Sequence, residues 1–212
     1  MKALFFACFC VVSIALSAQT TLQTFTSPDG VFQFKHSKVL VRCTEQKHEE
    51  GYPGLWAPQE SCESYDPVCD DPGSEGSTTL VCFAFPKAEF KDYPSFDAAT
   101  FSVAEIREAI TEYECLSGNP DWVIDPRGSG TTTRINHVKF KVFETDGVGS
   151  GHSLDGHVYR NFHRNTCYEL SIRTAATNPR MFEGPAKEFT EKNWKEVSSK
   201  LKQSLDSFQF LK

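Results

Sequence analysis

Beyond residue 18, the sequence has no apolar run long enough to cross a membrane, which takes about 20 residues in a helix. It also has no excess of positive charge, since the formal net charge is -6 at pH 7. Electrostatic attraction does not favour the binding of an acidic chain to nucleic acid or to an anionic membrane surface. We therefore expect no nucleic-acid partner and no membrane span in the mature chain.

Several motifs that carry chemistry are also missing. The sequence contains no C-x-x-C pair, no H-E-x-x-H metalloprotease motif, no G-x-x-x-x-G-K-[ST] phosphate loop and no G-x-S-x-G nucleophile elbow. Without any of these motifs, no residue can be named as catalytic from the sequence, and we expect no cofactor.

The first 18 residues have the pattern of a signal peptide. Lys2 gives a positive start, residues 3–16 are almost entirely apolar, and Ala15 and Ser17 are small residues suited to cleavage near residue 18. An uncleaved membrane anchor is the alternative. We expect residues 19–212 to form a single domain that is either secreted or periplasmic.

Six of the cysteines lie after this leader: Cys43, Cys62, Cys69, Cys82, Cys115 and Cys167. An even number of cysteines in an exported chain indicates disulfides before metal or redox chemistry. Six cysteines allow fifteen pairings, and the sequence alone selects none of them. If the neighbouring strands pair as a hairpin, the expected scheme is Cys43–Cys82, Cys62–Cys69 and Cys115–Cys167.

The hydrophobic pattern predicts more strand than helix. Strands are predicted at 31–36, 39–43, 79–85, 100–104, 134–144, 157–162, 167–174 and 207–211, and helices at 105–114 and 190–205. Residues 44–77 are rich in proline, glycine and acidic residues and are predicted to be a long inserted loop without regular structure. Residues 146–151 are predicted to be a glycine-rich loop. Most of the 18 phenylalanines lie outside the leader and are interpreted as core residues.

These elements predict an α+β fold, a mainly antiparallel sheet flanked by helices, with a long disulfide-bearing loop. Both ends of the mature chain resemble the PsbP/Mog1-like superfamily. Residues 27–34 (SPDGVFQF) are similar to its D-x-x-G-F opening, and the strand, loop, helix and LDSF sequence of residues 167–208 follow in its order. The resemblance implies an α/β/α sandwich. It implies little about activity, and no functional residue is carried over from it.

His152, His157 and His163 are candidate metal ligands because neutral imidazoles bind zinc and copper well. On one strand, however, His157 and His163 would stand about 20 Å apart, too far to share one ion. Solvent-exposed histidines are the simpler interpretation. Arg160, Arg164 and Arg173 could line an anion site along the predicted hairpin, and balance of local charge is the simpler interpretation.

The leading functional hypothesis is a non-catalytic exported domain, or envelope protein, that binds an unknown protein or small molecule. Its recognition element would be the 44–77 loop, which carries Tyr52, Leu55, Trp56 and Tyr65. The alternatives are an undescribed hydrolase or metal-dependent enzyme that uses the hairpin histidines, and a structural subunit of a larger assembly.

Overall fold

The computed structural model describes residues 22–46, 55–58, 69, 76–117, 130–149, 151–184 and 187–212. These residues form two antiparallel sheets and two α-helices. The strands are β1 (Leu22–Thr26), β2 (Phe32–Ser37), β3 (Val41–Gln46), β4 (Leu55–Pro58), β5 (Ser77–Ala84), β6 (Phe96–Ile106), β7 (Thr131–Ile135), β8 (Val138–Gly149), β9 (His152–His163), β10 (Thr166–Thr177) and β11 (Gln209–Phe210).

The helices are α1 (Glu112–Ser117) and α2 (Glu191–Ser207), with 3-10 turns at Lys87–Phe90 and Pro179–Met181. The larger sheet has eight strands in the order β4-β3-β5-β6-β10-β9-β8-β7, and the smaller has three in the order β1-β2-β11. The predicted α+β class, with mainly antiparallel sheet, is confirmed.

The core lies between one face of the large sheet and a layer made by the small sheet and α2. Phe34 of β2 meets Phe101 of β6 with ring centroids 4.9 Å apart, and Leu201 of α2 is completely buried in the same cluster. Most of the cluster's aromatic members are phenylalanines, so the interpretation of these residues as core is confirmed.

Helix α2 begins as the sequence predicts. Thr190 caps it, and Thr190 and Asn193 form a reciprocal capping box that satisfies two of the free backbone N–H groups. Phe189 and Trp194 contact each other across the cap at 4.5 Å between ring centroids. After α2, β11 pairs with β2 and closes the small sheet, although it is shorter than the predicted 207–211 strand.

The prediction for residues 95–115 is wrong in part. The expected short strand at 100–104 is the 11-residue strand β6, and the expected helix at 105–114 is replaced by α1 further along the chain. β6 lies between β5 and β10 and is buried on both faces, so it needs apolar or small residues at nearly every position. Apolar residues in this part of the chain also recur at helical spacing, but Ile110, which lies within the predicted helix, is 73% exposed.

Two hairpins differ from the predicted arrangement. The strand predicted at 134–144 is confirmed for residues 138–144, which belong to β8, but a tight reversal separates them from β7. Asn136 and His137 both adopt positive φ there, as a two-residue type I′ hairpin turn requires. The predicted glycine-rich loop at 146–151 is mostly the end of β8, which pairs with β9 up to Gly149 and His152. The hairpin predicted around Arg164 and Asn165 is confirmed, with longer strands on both sides.

Candidate binding site

The 44–77 segment is fastened to the edge of the large sheet. β3 continues to Gln46, and β4, at the edge of the sheet, pairs with it antiparallel, so that Thr44 lies opposite Ala57 and Gln46 opposite Leu55. The prediction of a segment without regular structure is therefore wrong for residues 44–46 and 55–58 and for Ser77, the first residue of β5. The sequence did not reveal β4 because its four residues, LWAP, are too short for a periodic pattern.

A disulfide fastens the same segment further along. Cys69 is bonded to Cys82 of the inner strand β5, and its carbonyl oxygen accepts a hydrogen bond from Thr79 Oγ1 at 2.9 Å. Cys69 and Cys82 are both completely buried. The segment is thus joined covalently to one of the least accessible parts of the sheet.

The Cys69–Cys82 bond shows that two of the three expected pairings, Cys43–Cys82 and Cys62–Cys69, are wrong. Cys43 does lie directly opposite Cys82 in the sheet register, as predicted, but Cys82 is bonded to Cys69. The sulfur atoms of these three cysteines all lie within 4.8 Å of one another, so strand register alone does not decide which pair forms. Cys62 lies outside the described residues. The third expected pairing, Cys115–Cys167, is confirmed.

Of the four residues predicted to form the recognition surface, Leu55 and Trp56 lie on β4, opposite Gln46 and Glu45 of β3. Tyr52 and Tyr65 lie outside the described residues. The structure thus places two of the four on a strand at the edge of the sheet, a position from which a neighbouring chain can be reached.

The three candidate histidines occupy three separate environments on β9. His157 Nε2 lies 3.7 Å from Glu144 Oε1 on β8, and the His163 ring stacks on Phe210 of β11 with centroids 3.9 Å apart. His152 does not fold back towards His157, because β9 is continuous between them and separates them by about 16 Å at ordinary strand rise. One shared metal site for these histidines is therefore not formed.

Burial lowers the pKa of His163, and the positive charge of nearby Arg164 lowers it further. Its imidazole is consequently more often neutral than that of a histidine in water. A neutral ring lying flat on Phe210 is a packing contact, which accounts for His163 without a ligand.

His152 has partners that the sequence did not suggest. Its Nδ1 atom lies 2.9 Å from Thr177 Oγ1 and 3.3 Å from Asp97 Oδ2. Thr177 Oγ1 in turn lies 2.8 and 2.7 Å from the two carboxylate oxygens of Asp97. Asp97 and Thr177 are 80 residues apart in the chain, so no local motif could have indicated this cluster.

Of the three arginines that could form an anion site, Arg160 and Arg173 are both buried in the sheet. Arg160 Nε donates to Glu169 Oε2 at 2.8 Å, and the two side chains are only 3% and 0% exposed. Arg164 lies in the exposed β9–β10 turn. A buried arginine that faces a buried carboxylate is already compensated, so Arg160 has no surplus charge for an anion.

A small cavity of about 90 Å³ lies between α2 and Phe90, and two larger surface cavities lie beside the same helix. One, of about 240 Å³, is lined by Trp194 and Ser198 of α2 and by Ser153, Asp155, Thr174 and Ala176 of the sheet. It is smaller than the roughly 300–1,000 Å³ of typical ligand pockets. The other, of about 450 Å³, is lined by residues of α2 alone and is a surface depression of that helix. Neither has the form of an enclosed ligand site.

The two disulfides among the described residues indicate folding in an oxidising compartment, either extracellular or periplasmic. Of the helices in the described ranges, none is both long and apolar enough to span a bilayer.

No protein-family model matches the sequence, and no curated protein matches it significantly. Similar solved structures include a protein of Bacteroides thetaiotaomicron (11% identity, TM-score 0.43), the cyanobacterial PsbP of Synechocystis sp. PCC 6803, CyanoP (12%, 0.42), and LpqN of Mycobacterium tuberculosis, described as involved in cell envelope biogenesis (6%, 0.39).

The match to the Bacteroides protein covers 89% of this chain and 48% of that protein. The match to CyanoP covers 95% of this chain and 99% of CyanoP. The match to LpqN covers 91% of each chain. This chain therefore spans about half the length of the Bacteroides protein. One of these neighbours is a PsbP protein, which belongs to the superfamily that the ends of the sequence resemble. At these identities and TM-scores, the likeness carries no argument about function.

Proposed function

We propose that this protein is an exported, non-catalytic binding domain whose recognition element is the 44–77 segment. The proposal assigns it an extracytoplasmic role, secreted or periplasmic, with residues 1–18 removed on export and residues 19–212 forming the mature domain. The partner is a protein or small molecule that contacts the aromatic and aliphatic side chains of this segment. The disulfides of the described residues support the compartment.

The observation that carries the proposal is the Cys69–Cys82 bond. It joins the segment to a buried strand near one end, while the β3–β4 pairing holds it near the other. A loop that is fastened at both ends loses less conformational entropy on binding than a free one, and this saving increases affinity. Long loops held on a rigid sheet are frequent sites of recognition.

The proposed contact residues are Tyr52, Leu55, Trp56 and Tyr65. Aromatic side chains bury a large area with few rotatable bonds, and they are enriched where alanine substitutions cost the most binding energy. The segment carries three of them, together with Leu55, among residues that are mostly polar, acidic or small.

Cross-linking in the producing cells tests this proposal. We expect wild-type protein to give a discrete cross-linked adduct, identified by mass spectrometry. In the variant Tyr52→Ser/Trp56→Ser/Tyr65→Ser, the yield of that adduct should fall at least tenfold. The disulfides and the thermal stability of this variant should be retained. Tyr113→Ser is the matched control, because Tyr113 is an aromatic residue outside the segment and is 80% exposed.

Two results would contradict the proposal. The first is an adduct of equal yield from wild type and the triple variant, which would place recognition elsewhere on the molecule. The second is the absence of any discrete adduct from wild-type protein at a cross-linker concentration that captures a known complex of the same compartment.

A further inference from the structure

Asp97, His152 and Thr177 meet where three neighbouring strands end. Asp97 is the second residue of β6, His152 the first of β9 and Thr177 the last of β10. Because β10 lies between β6 and β9 in the sheet, the three side chains are brought together by topology rather than by sequence. This group is called the strand-end cluster.

The backbone around the cluster is fixed. Thr177 N donates to Ser95 O at 3.0 Å, and Asn178 N donates to Gly151 O at 2.7 Å. Gly151 has a φ of +83° immediately before His152, and a Cβ atom there would lie 3.0 Å from Met181 Sδ. These contacts set the direction in which β9 begins and so position the imidazole of His152.

Four donor atoms converge in the strand-end cluster: Nδ1 of His152, Oγ1 of Thr177 and both carboxylate oxygens of Asp97. The distance from Nδ1 is 2.9 Å to Oγ1 and 3.3 Å to Oδ2. Tetrahedral zinc ligands at about 2.0–2.1 Å from the metal lie roughly 3.3 Å from one another. Thr177 Oγ1 lies 2.8 and 2.7 Å from the two Asp97 oxygens, so the donors are already grouped, and the hydrogen-bonded separations would have to widen towards roughly 3.3 Å on binding an ion.

We propose that the strand-end cluster binds one divalent transition-metal ion of the zinc or copper class. Imidazole nitrogen and carboxylate oxygen together suit these ions, whereas calcium would require six to eight oxygen ligands. Asp97 supplies the compensating negative charge, and the hydroxyl of Thr177 is the weakest of the three ligands.

The strand-end cluster is also accessible. The side chains of His152 and Asp97 are 60% and 28% exposed, so that an ion can enter and water can complete its coordination. Thr177 is buried beneath them and gives the site a fixed floor. The proposed metal site does not include the 44–77 segment and is independent of the proposed binding function.

Calorimetric titration of untagged mature protein with Zn²⁺, and separately with Cu²⁺, tests this inference. We expect one ion per chain to bind with micromolar affinity, and His152→Ala and Asp97→Asn each to weaken binding at least tenfold. Thr177→Val should have a smaller effect of a few-fold. His157→Ala is the matched control, because His157 is an exposed histidine on the same strand and also lies beside a carboxylate.

A second readout separates loss of the site from loss of the fold. His152→Ala removes an exposed side chain, and without metal this variant should have the same melting temperature as wild type. Added Zn²⁺ should raise the melting temperature of wild type and of His157→Ala. It should not raise that of His152→Ala. Failure of wild type to bind either ion, or equal binding by His152→Ala, would overturn the proposal and leave the three side chains as a hydrogen-bond network.

Discussion

The two disulfides close loops of very different length, and this difference predicts the order of their contributions to stability. Cys115 and Cys167 are 52 residues apart, and Cys69 and Cys82 are 13 apart. A longer closed loop removes more conformational entropy from the unfolded chain. At 25 °C the loop-entropy relation gives about 4 kcal/mol for the first bond and about 3 kcal/mol for the second.

The perturbation is a pair of double variants, Cys115→Ala/Cys167→Ala and Cys69→Ala/Cys82→Ala, each the control for the other. All four side chains are completely buried, so the packing loss is similar in both. With a urea m-value of about 2 kcal/mol/M, the unfolding midpoint should fall by about 2 M and about 1.5 M, respectively.

The first double variant should also loosen α1. Apart from the disulfide, the described contacts of this six-residue helix include Arg160 Nη1 to Cys115 O at 3.5 Å and Lys141 Nζ to Leu116 O at 2.7 Å. Hydrogen exchange should therefore show lost protection in α1 for this variant and not for the other. A larger midpoint shift in the Cys69→Ala/Cys82→Ala variant, or shifts below about 0.5 M in both, would refute the loop-entropy reasoning.

Three further predictions concern the core and its buried charges. Leu201→Ala should lower the free energy of unfolding by about 3 kcal/mol in urea titrations, because the side chain is completely buried in the main cluster. Glu169→Gln should cost about 3 kcal/mol or more in the same assay, because it leaves the buried Arg160 guanidinium with a neutral partner. Burial lowers the pKa of His36, so the imidazole binds a proton more tightly in the unfolded chain than in the folded protein. The free energy of unfolding should therefore fall as the pH drops below about 6.5. His36→Gln should show a smaller loss of melting temperature between pH 7.5 and pH 5.5.

A loss below about 1 kcal/mol for Leu201→Ala would mean that α2 is not part of the cooperative core. If Glu169→Gln is as stable as wild type, the ion pair contributes no net stability. An equal pH response of wild type and His36→Gln would exclude His36 as a source of the acid sensitivity.

Local sequence signals determined the features that depend on nearby residues. The cap at Thr190, the apolar stripe that ends in Leu201 and Leu205, and the reversal at Arg164 and Asn165 are all set within a few positions along the chain. Such features were predictable because capping, helical periodicity and turn conformation act over one or two turns. The even number of cysteines likewise indicated disulfides, although not all of their partners.

The tertiary structure decided what depends on distant residues. Whether the run around Phe101 becomes strand or helix follows from its burial between β5 and β10, which is a non-local condition. The choice of Cys69 as the partner of Cys82 depends on where the 44–77 segment meets β5. Asp97, Thr177 and His152 meet because the ends of three strands become neighbours in the sheet. Contacts of this kind form only after folding, so they leave no periodic pattern in the sequence.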